Sequence, residues 1–282
     1  MLIVDHNSTD NTRLILENLK LEGYNLLLYS KEEIANNNGD TLTEYMHKLY
    51  EDEKPDIIIP IDADEFLICD NGNPRELLET LSLENIYRIH WKNYIYLEEE
   101  SEFIPNRMQF YRSFEFDPFL KVIVPGNLIK KYDLSLTQGN HDVIGIPAEK
   151  RVIYNQLFIA HYPIRSKEQL YSKICISAIN AMFRSYRAPH ISFHWFDLYE
   201  KIKNNEDLDL TYISLTYSLD EEYLNKLLTS QKDATIFNPI DISFCKNIEI
   251  KYSKLNKINY LANILNNTEI ITNKYLELQN KE

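Results

Sequence analysis

An apolar run, Ile57-Ile58-Ile59-Pro60-Ile61, leads directly into Asp62, Ala63, Asp64 and Glu65, then Phe66. Carboxylates two positions apart on a continuing strand point the same way. Paired hard oxygens of this kind suit Mg²⁺ or Mn²⁺ carrying a diphosphate. The competing reading of Asp62 and Asp64 is an acidic surface turn. His161 follows another apolar run, Leu157-Phe158-Ile159-Ala160, and so also falls at a strand end. An imidazole as a third ligand suits Mn²⁺ better than Mg²⁺; the alternative is a core histidine bonded to backbone. Arg165, near a helix start, could grip a diphosphate through two parallel hydrogen bonds, or be an exposed helix-start cation. Lys121, after Phe119 and Leu120, is a further phosphate candidate.

The elements that must position these groups follow from periodicity. The run before Asp62 reads as a strand covered on both faces, and open α/β sheets bind ligands beyond such strand ends. Met1–Val4 is a short buried-type strand, followed by the polar turn 5–12. Ser8 or Thr9 there could cap a helix carrying Leu14, Ile15 and Leu19, with Gly23 closing it. A strand over 25–29 and a helix over 41–52 complete a parallel strand–helix alternation with right-handed crossovers. Beyond the acids, the pattern predicts a helix at 74–81 and strands at 86–91, 107–111, 121–124 and 152–159. Loops are expected at 92–106 and 112–118. A helix begins after Ser166 and breaks near Pro189, and 195–282 reads as mostly helical. The fold class expected is α/β, a mostly parallel (mixed) sheet flanked by helices. Residues 1–195 would form the α/β domain and 196–282 a helical C-terminal extension.

Composition narrows the function classes. The chain has 282 residues, 44% of them hydrophobic, enough to bury a full core. A formal charge of −13 argues against a nucleic-acid partner, since nothing would neutralise phosphates along a duplex. An acidic protein that binds an anionic nucleotide needs a metal or a local basic pocket. Cys69, Cys175 and Cys245 are scattered and odd in number, which fits a reducing cytoplasm rather than a disulfide framework or a thiolate zinc site. No apolar stretch reaches the length of a membrane span, and no signal peptide is expected ahead of the first strand. Peripheral membrane association stays open, as does the oligomeric state.

Taken in order, these motifs carry a resemblance. Asp5-His6-Asn7-Ser8-Thr9-Asp10-Asn11-Thr12 resembles the D-x-x-S-T-D-x-T signature of family 2-like glycosyltransferases of the GT-A fold. Asp62-Ala63-Asp64-Glu65-Phe66 is similar to their D-x-D metal motif. His161-Tyr162-Pro163-Ile164-Arg165-Ser166 with Lys173 resembles a downstream H-Y-x-x-R-S block, and His194-Trp195 a later pair. The resemblance spans roughly residues 1–195. It implies metal-dependent, inverting transfer of a sugar from a UDP- or GDP-type donor to a saccharide acceptor in polysaccharide or glycan assembly. It further implies that Asp64 ligates the metal, that Asp62 binds ribose or a metal-bound water, and that Asp5 meets the base or ribose. Ser8 and Asp10 shape that turn, Asp10 with a plain capping role as the alternative, and Glu65 orients the acidic loop.

Inverting transfer also needs a general base for the acceptor hydroxyl. Gly139-Asn140-His141-Asp142 presents His141 and Asp142 together, with a plain Asx-type loop as the alternative. His141 also rivals His161 as a metal ligand, and Glu115 and Asp117 are reserves. Family members carry a further strand and helix ahead of the D-x-x-S-T-D strand. The sequence starts at what resembles the second strand, so the expectation is a lost inner strand and an exposed apolar edge. That expectation sustains the alternative of a catalytically inactive binding or scaffold module. A haloacid-dehalogenase phosphatase is excluded because Glu65 and Phe66 occupy the places that chemistry needs. An EF-hand fails because Phe66 falls at its third ligand position.

Overall fold

The computed structural model describes residues 1–31, 38–97, 103–113, 120–182, 193–217, 219, 221–229, 234–241, 252 and 259–279. Glu115, Asp117, Pro189 and Cys245 lie outside the described residues, as does the side chain of His194.

The chain begins β1 (Leu2–Asp5), α1 (Thr12–Leu21), β2 (Leu27–Ser30), α2 (Asn38–Glu53) and β3 (Ile57–Ile58). It continues through β4 (Glu65–Cys69), α3 (Pro74–Glu79), β5 (Ile86–Asn93), α4 (Ile104–Arg107), β6 (Phe110–Arg112) and β7 (Leu120–Pro125). Next come α5 (Gly126–Tyr132), β8 (Ser135–Leu136), β9 (Val143–Ile144) and β10 (Arg151–His161). The last part holds α6 (Lys167–Met182), α7 (Phe193–Lys203), α8 (Leu210–Thr216), α9 (Glu221–Thr229), β11 (Thr235–Phe237) and α10 (Tyr260–Gln279).

The fold is α/β. Its main sheet has five strands in the order β3-β7-β5-β10-β4. β5 pairs parallel with β10, and the other three pairings are antiparallel, so β3, β5 and β10 run one way. Every residue of β7 is buried, as expected of an apolar strand covered on both faces. One face packs Ile58, Val122 and Val124 against Met46 of α2 and Leu128 and Ile129 of α5. The other packs Ile89, Ile123, Leu157 and Ile159 with Leu81 and the α3 leucines 77 and 78. A third cluster joins Ile164, Leu170 and Ile174 to Trp195 and Leu208, which ties α6 to α7 and α8.

Several expectations are corrected. β1 and β2 pair parallel, Leu2 opposite Leu27, but as a two-stranded sheet of their own. The apolar run before the acids is paired only at Ile57 and Ile58, at the edge of the sheet. Pro60 has no N–H for a ladder, which suits the release of the chain there. Asp62 and Asp64 therefore lie in a turn, closed by Glu65 N–H donating to Asp62 O at 3.1 Å, and not on a continuing strand. Residues 107–111 hold the end of a short helix and the start of β6, with Pro105 in that helix's first turn. Asn11, not Ser8 or Thr9, is the N-cap of α1, and Asp10 Oδ1 accepts from Thr12 N–H at 2.9 Å. Within 196–282, β11 pairs with β6 and so binds this region to the α/β part. No described helix is long and apolar enough to cross a membrane.

Candidate active site

Chain direction explains why charged groups meet at one end of the sheet. β3 and β4 are the two edge strands, so the turn 59–64 must cross the sheet from one side to the other. It passes the carboxyl ends of β5 and β10 and the amino end of β7. Asn93 and His161 pair with each other there, His161 also with Glu65, and Lys121 sits at the start of β7.

Asp64 divides its carboxylate between two tasks. Oδ2 is 3.2 Å from both Arg165 Nη1 and Lys173 Nζ. Oδ1 faces His161 Nε2 at 3.9 Å. The cations, Lys173 first, overcome the effect of burial and hold the Asp64 carboxyl well below the usual range. His161 Nδ1 donates to Asn93 Oδ1 at 2.6 Å, which leaves the Nε2 lone pair directed to Asp64. Burial is the main cause that lowers the His161 pKa to about 3, so the ring is neutral at physiological pH. Trp91 stacks on it, ring centres 4.5 Å apart.

Asp62 and Glu65 share the other cation. Lys121 Nζ lies 3.1 Å from Asp62 Oδ2 and 3.0 Å from Glu65 Oε1, and both Lys121 and Glu65 are wholly buried. Glu65 Oε2 accepts from Asp62 N–H at 3.0 Å, so it holds the shape of the acidic turn. Burial, only partly offset by Lys121, pushes the Glu65 carboxyl up to about 7.

The fit to a metal can be tested on these groups. Nδ1–H fixed by an amide and a free Nε2 beside a carboxylate oxygen is the usual arrangement of a ligating histidine. Asp64 Oδ1 and His161 Nε2 thus fit as a pair. Among the described residues no group of three His, Cys, Asp or Glu converges on one point. Two protein ligands still suit a hard divalent ion that completes its shell with water and phosphate oxygens. Asp62, its Oδ2 on Lys121, does not join the pair.

The other expected site residues are spread out. His141 Nδ1 donates to Leu120 O at 3.0 Å and its ring meets the Trp91 edge-on, so His141 and His161 flank the same indole. Gly139 has φ +73°, and a Cβ there would come 2.6 Å from His141 Nε2. Asp142 is ion-paired to Arg151 at 3.3 Å and Arg88 at 3.8 Å, and its Oδ1 also accepts from Val143 N–H. Asp5 is buried and accepts from Ser8 N–H at 3.1 Å. Among the described residues no hydrogen bond or ion pair joins Asp5 or Ser8 to the Asp62–Asp64 cluster. Sequence reasoning missed Asn93 and Trp91. Their signal was the alternation Ile89-Trp91-Asn93 along β5, which places all three on one face.

No protein-family model matches the chain, and no curated protein does. Among solved structures it is similar to a crystal structure of S. aureus TarS 1–349, at 13% identity and a TM-score of 0.35. That match covers 94% of this chain and 70% of the other. A likeness of that degree defines neither a family nor an activity.

Proposed function

We propose that the protein is a glycosyltransferase that moves a sugar from a nucleotide-diphosphate donor to a saccharide acceptor in the cytoplasm, in polysaccharide or glycan assembly. The observation that carries this reading is the divided carboxylate of Asp64, with cations on Oδ2 and a neutral imidazole nitrogen beside Oδ1. Cations and a metal-type pair at one strand end suit a leaving diphosphate. Residues 1–195 carry the chemistry, with 196–282 as a helical extension.

Each residue then has a task. Asp64 and His161 would hold Mn²⁺ or Mg²⁺, which when bound supplies Lewis-acid neutralisation of the diphosphate. Arg165 grips a phosphate with the guanidinium N–H groups that Asp64 does not use. Lys121 holds Asp62 toward the donor's ribose, and Asp5 with Ser8 takes the nucleoside end. As the anomeric carbon bonds the acceptor oxygen, its bond to the phosphate oxygen breaks and the diphosphate leaves with the electron pair. The acceptor's proton passes to His141, whose Nε2 keeps a lone pair because Nδ1 donates to Leu120 O. Asp142, engaged with two arginines, serves better to fix the turn that presents His141.

A second reading is a binding module without turnover. The isolation of β1, with Asp5, in its own two-stranded sheet favours it. Incubation of wild type and Asp64→Ala with UDP- and GDP-sugars, Mn²⁺ and saccharide acceptors separates the two. The proposal expects release of nucleoside diphosphate by wild type only. Release that survives in Asp64→Ala overturns the metal assignment, and binding without release favours the module.

A further inference from the structure

Lys173 projects from the second turn of α6 to the acidic turn, and residues beyond 182 surround it. Its ammonium lies 5.7 Å from the Trp195 ring centre and 5.8 Å from that of Tyr217. Trp195 belongs to α7, and Tyr217 is the residue that ends α8. Tyr217 is itself pinned, since the buried Arg112 guanidinium donates to the carbonyls of Leu215 at 3.1 Å and Tyr217 at 3.0 Å. Its ring meets the His161 imidazole edge-on, centres 5.9 Å apart. The helical region therefore reaches the heart of the site.

An ammonium has three donors. Asp64 Oδ2 takes one at 3.2 Å, and Pro163 O a weak second at 3.5 Å. The third has no polar partner among the described residues, and the side chain is 28% exposed. Aromatic faces hold a cation in place without competing for its hydrogens. Beside it, Arg165 directs Nη1 to Asp64 and to Tyr162 O, and its remaining N–H groups take no partner among the described residues. Two cations on one carboxylate oxygen leave a local surplus of positive charge, the complement of a diphosphate.

We propose that Lys173, caged by Trp195 and Tyr217, is a diphosphate-binding residue that works beside Arg165, so that α7 and α8 complete the donor site. This rests on the nucleotide-diphosphate reading above. The unassigned N–H of Lys173 donates to a phosphate oxygen while Asp64 keeps the ammonium aimed.

The test is calorimetric titration of inorganic pyrophosphate into wild type, Lys173→Met, Lys173→Arg and Tyr217→Leu, with EDTA and again with Mn²⁺. Lys173→Met should weaken binding by roughly tenfold or more in both conditions, the scale of a lost hydrogen bond to a charged group. Lys173→Arg, which keeps a cation on the same aromatic faces, should stay within about threefold. Tyr217→Leu should fall between them, because the cage loosens while the charge remains. Thermal melts check that each variant is folded, and Lys173→Gln, which also removes the charge, takes the place of Lys173→Met if that variant is not. Equal affinity of Lys173→Met and wild type, a loss in Lys173→Arg as large as in Lys173→Met, or no binding by wild type overturns the proposal. Binding that depends on Lys173 without turnover of any nucleotide sugar sinks the transferase reading alone. Turnover with pyrophosphate affinity indifferent to Lys173 sinks this inference alone.

Discussion

Replacing Lys121 by Met should destabilise the protein in a way that depends on pH. Lys121 and Glu65 are both wholly buried and 3.0 Å apart, so the substitution leaves a buried carboxyl without its counter-charge. Removing one partner of such a pair costs up to about 3–5 kcal/mol where the remaining group stays charged, and protonation of Glu65 limits that cost. The Asp62 contact adds little, because that side chain is half exposed and water screens it. Glu65 titrates near 7 in the fold against 4.5 when unperturbed. Its folded pKa is raised, so its stabilising contribution is complete below 4.5 and is lost as pH rises through 7. That difference amounts to about 3 kcal/mol across the window. At pH 5 the carboxyl is largely neutral, and losing Lys121 should cost only about 1 kcal/mol, one hydrogen bond. At pH 8, one unit above the folded pKa of about 7, the variant keeps Glu65 protonated at a further cost of about 1.4 kcal/mol, so the loss rises to about 2–3 kcal/mol, a fall in Tm of roughly 7 °C at about 2–4 °C per kcal/mol. Urea melts of wild type, Lys121→Met, and Lys121→Met combined with Glu65→Gln, at both pH values, provide the check. The double variant should recover most of the loss at pH 8. An equal loss at pH 5 and pH 8, or no recovery in the double variant, would refute the reasoning.

Other expectations concern the histidines and their supports. Gly139→Ala adds a Cβ within 2.6 Å of His141 Nε2 at a positive φ, so it should cost about 1–3 kcal/mol and lower kcat more than it raises KM; unchanged stability contradicts this. Asn93→Ala frees the His161 tautomer and should weaken Mn²⁺ binding about 10- to 100-fold, measured by titration against wild type. The His161 pKa is depressed in the fold, so its contribution to stability is complete above 6.5 and is lost as pH falls toward 3. His161→Gln should flatten that part of the acid-denaturation curve, and an unaltered curve counts against a buried neutral ring. Asp142→Asn should lower Tm through the loss of two arginine pairs while keeping most of kcat; an abolished kcat with intact Tm would make Asp142 the base.

What the sequence disclosed was local. Apolar runs such as Leu120–Val124 and Leu157–Ala160 marked buried strands, and the helical spacing after Ser166 marked α6, because each pattern reports its own backbone. The run 57–61 misled because apolar residues can be covered without being paired, and sheet pairing is decided by distant segments. The separation of β1 and β2 from the main sheet is likewise a property of tertiary pairing that no local period records. Asp64 and His161 could be named as candidates, but the division of the carboxylate depended on Arg165 and Lys173 arriving from beyond β10. Tyr217 was invisible, since its place beside His161 follows from Arg112 holding the end of α8.

The central claim is that Asp64 Oδ1 and His161 Nε2 form the seat of a divalent cation carrying a diphosphate. Crystals grown with Mn²⁺ and UDP, measured at the manganese absorption edge, test it most directly. The account predicts one anomalous peak within coordination distance of both atoms, with phosphate oxygens on the ion's open side toward Arg165. A peak on other residues, or bound UDP with no ion at Asp64, would contradict it.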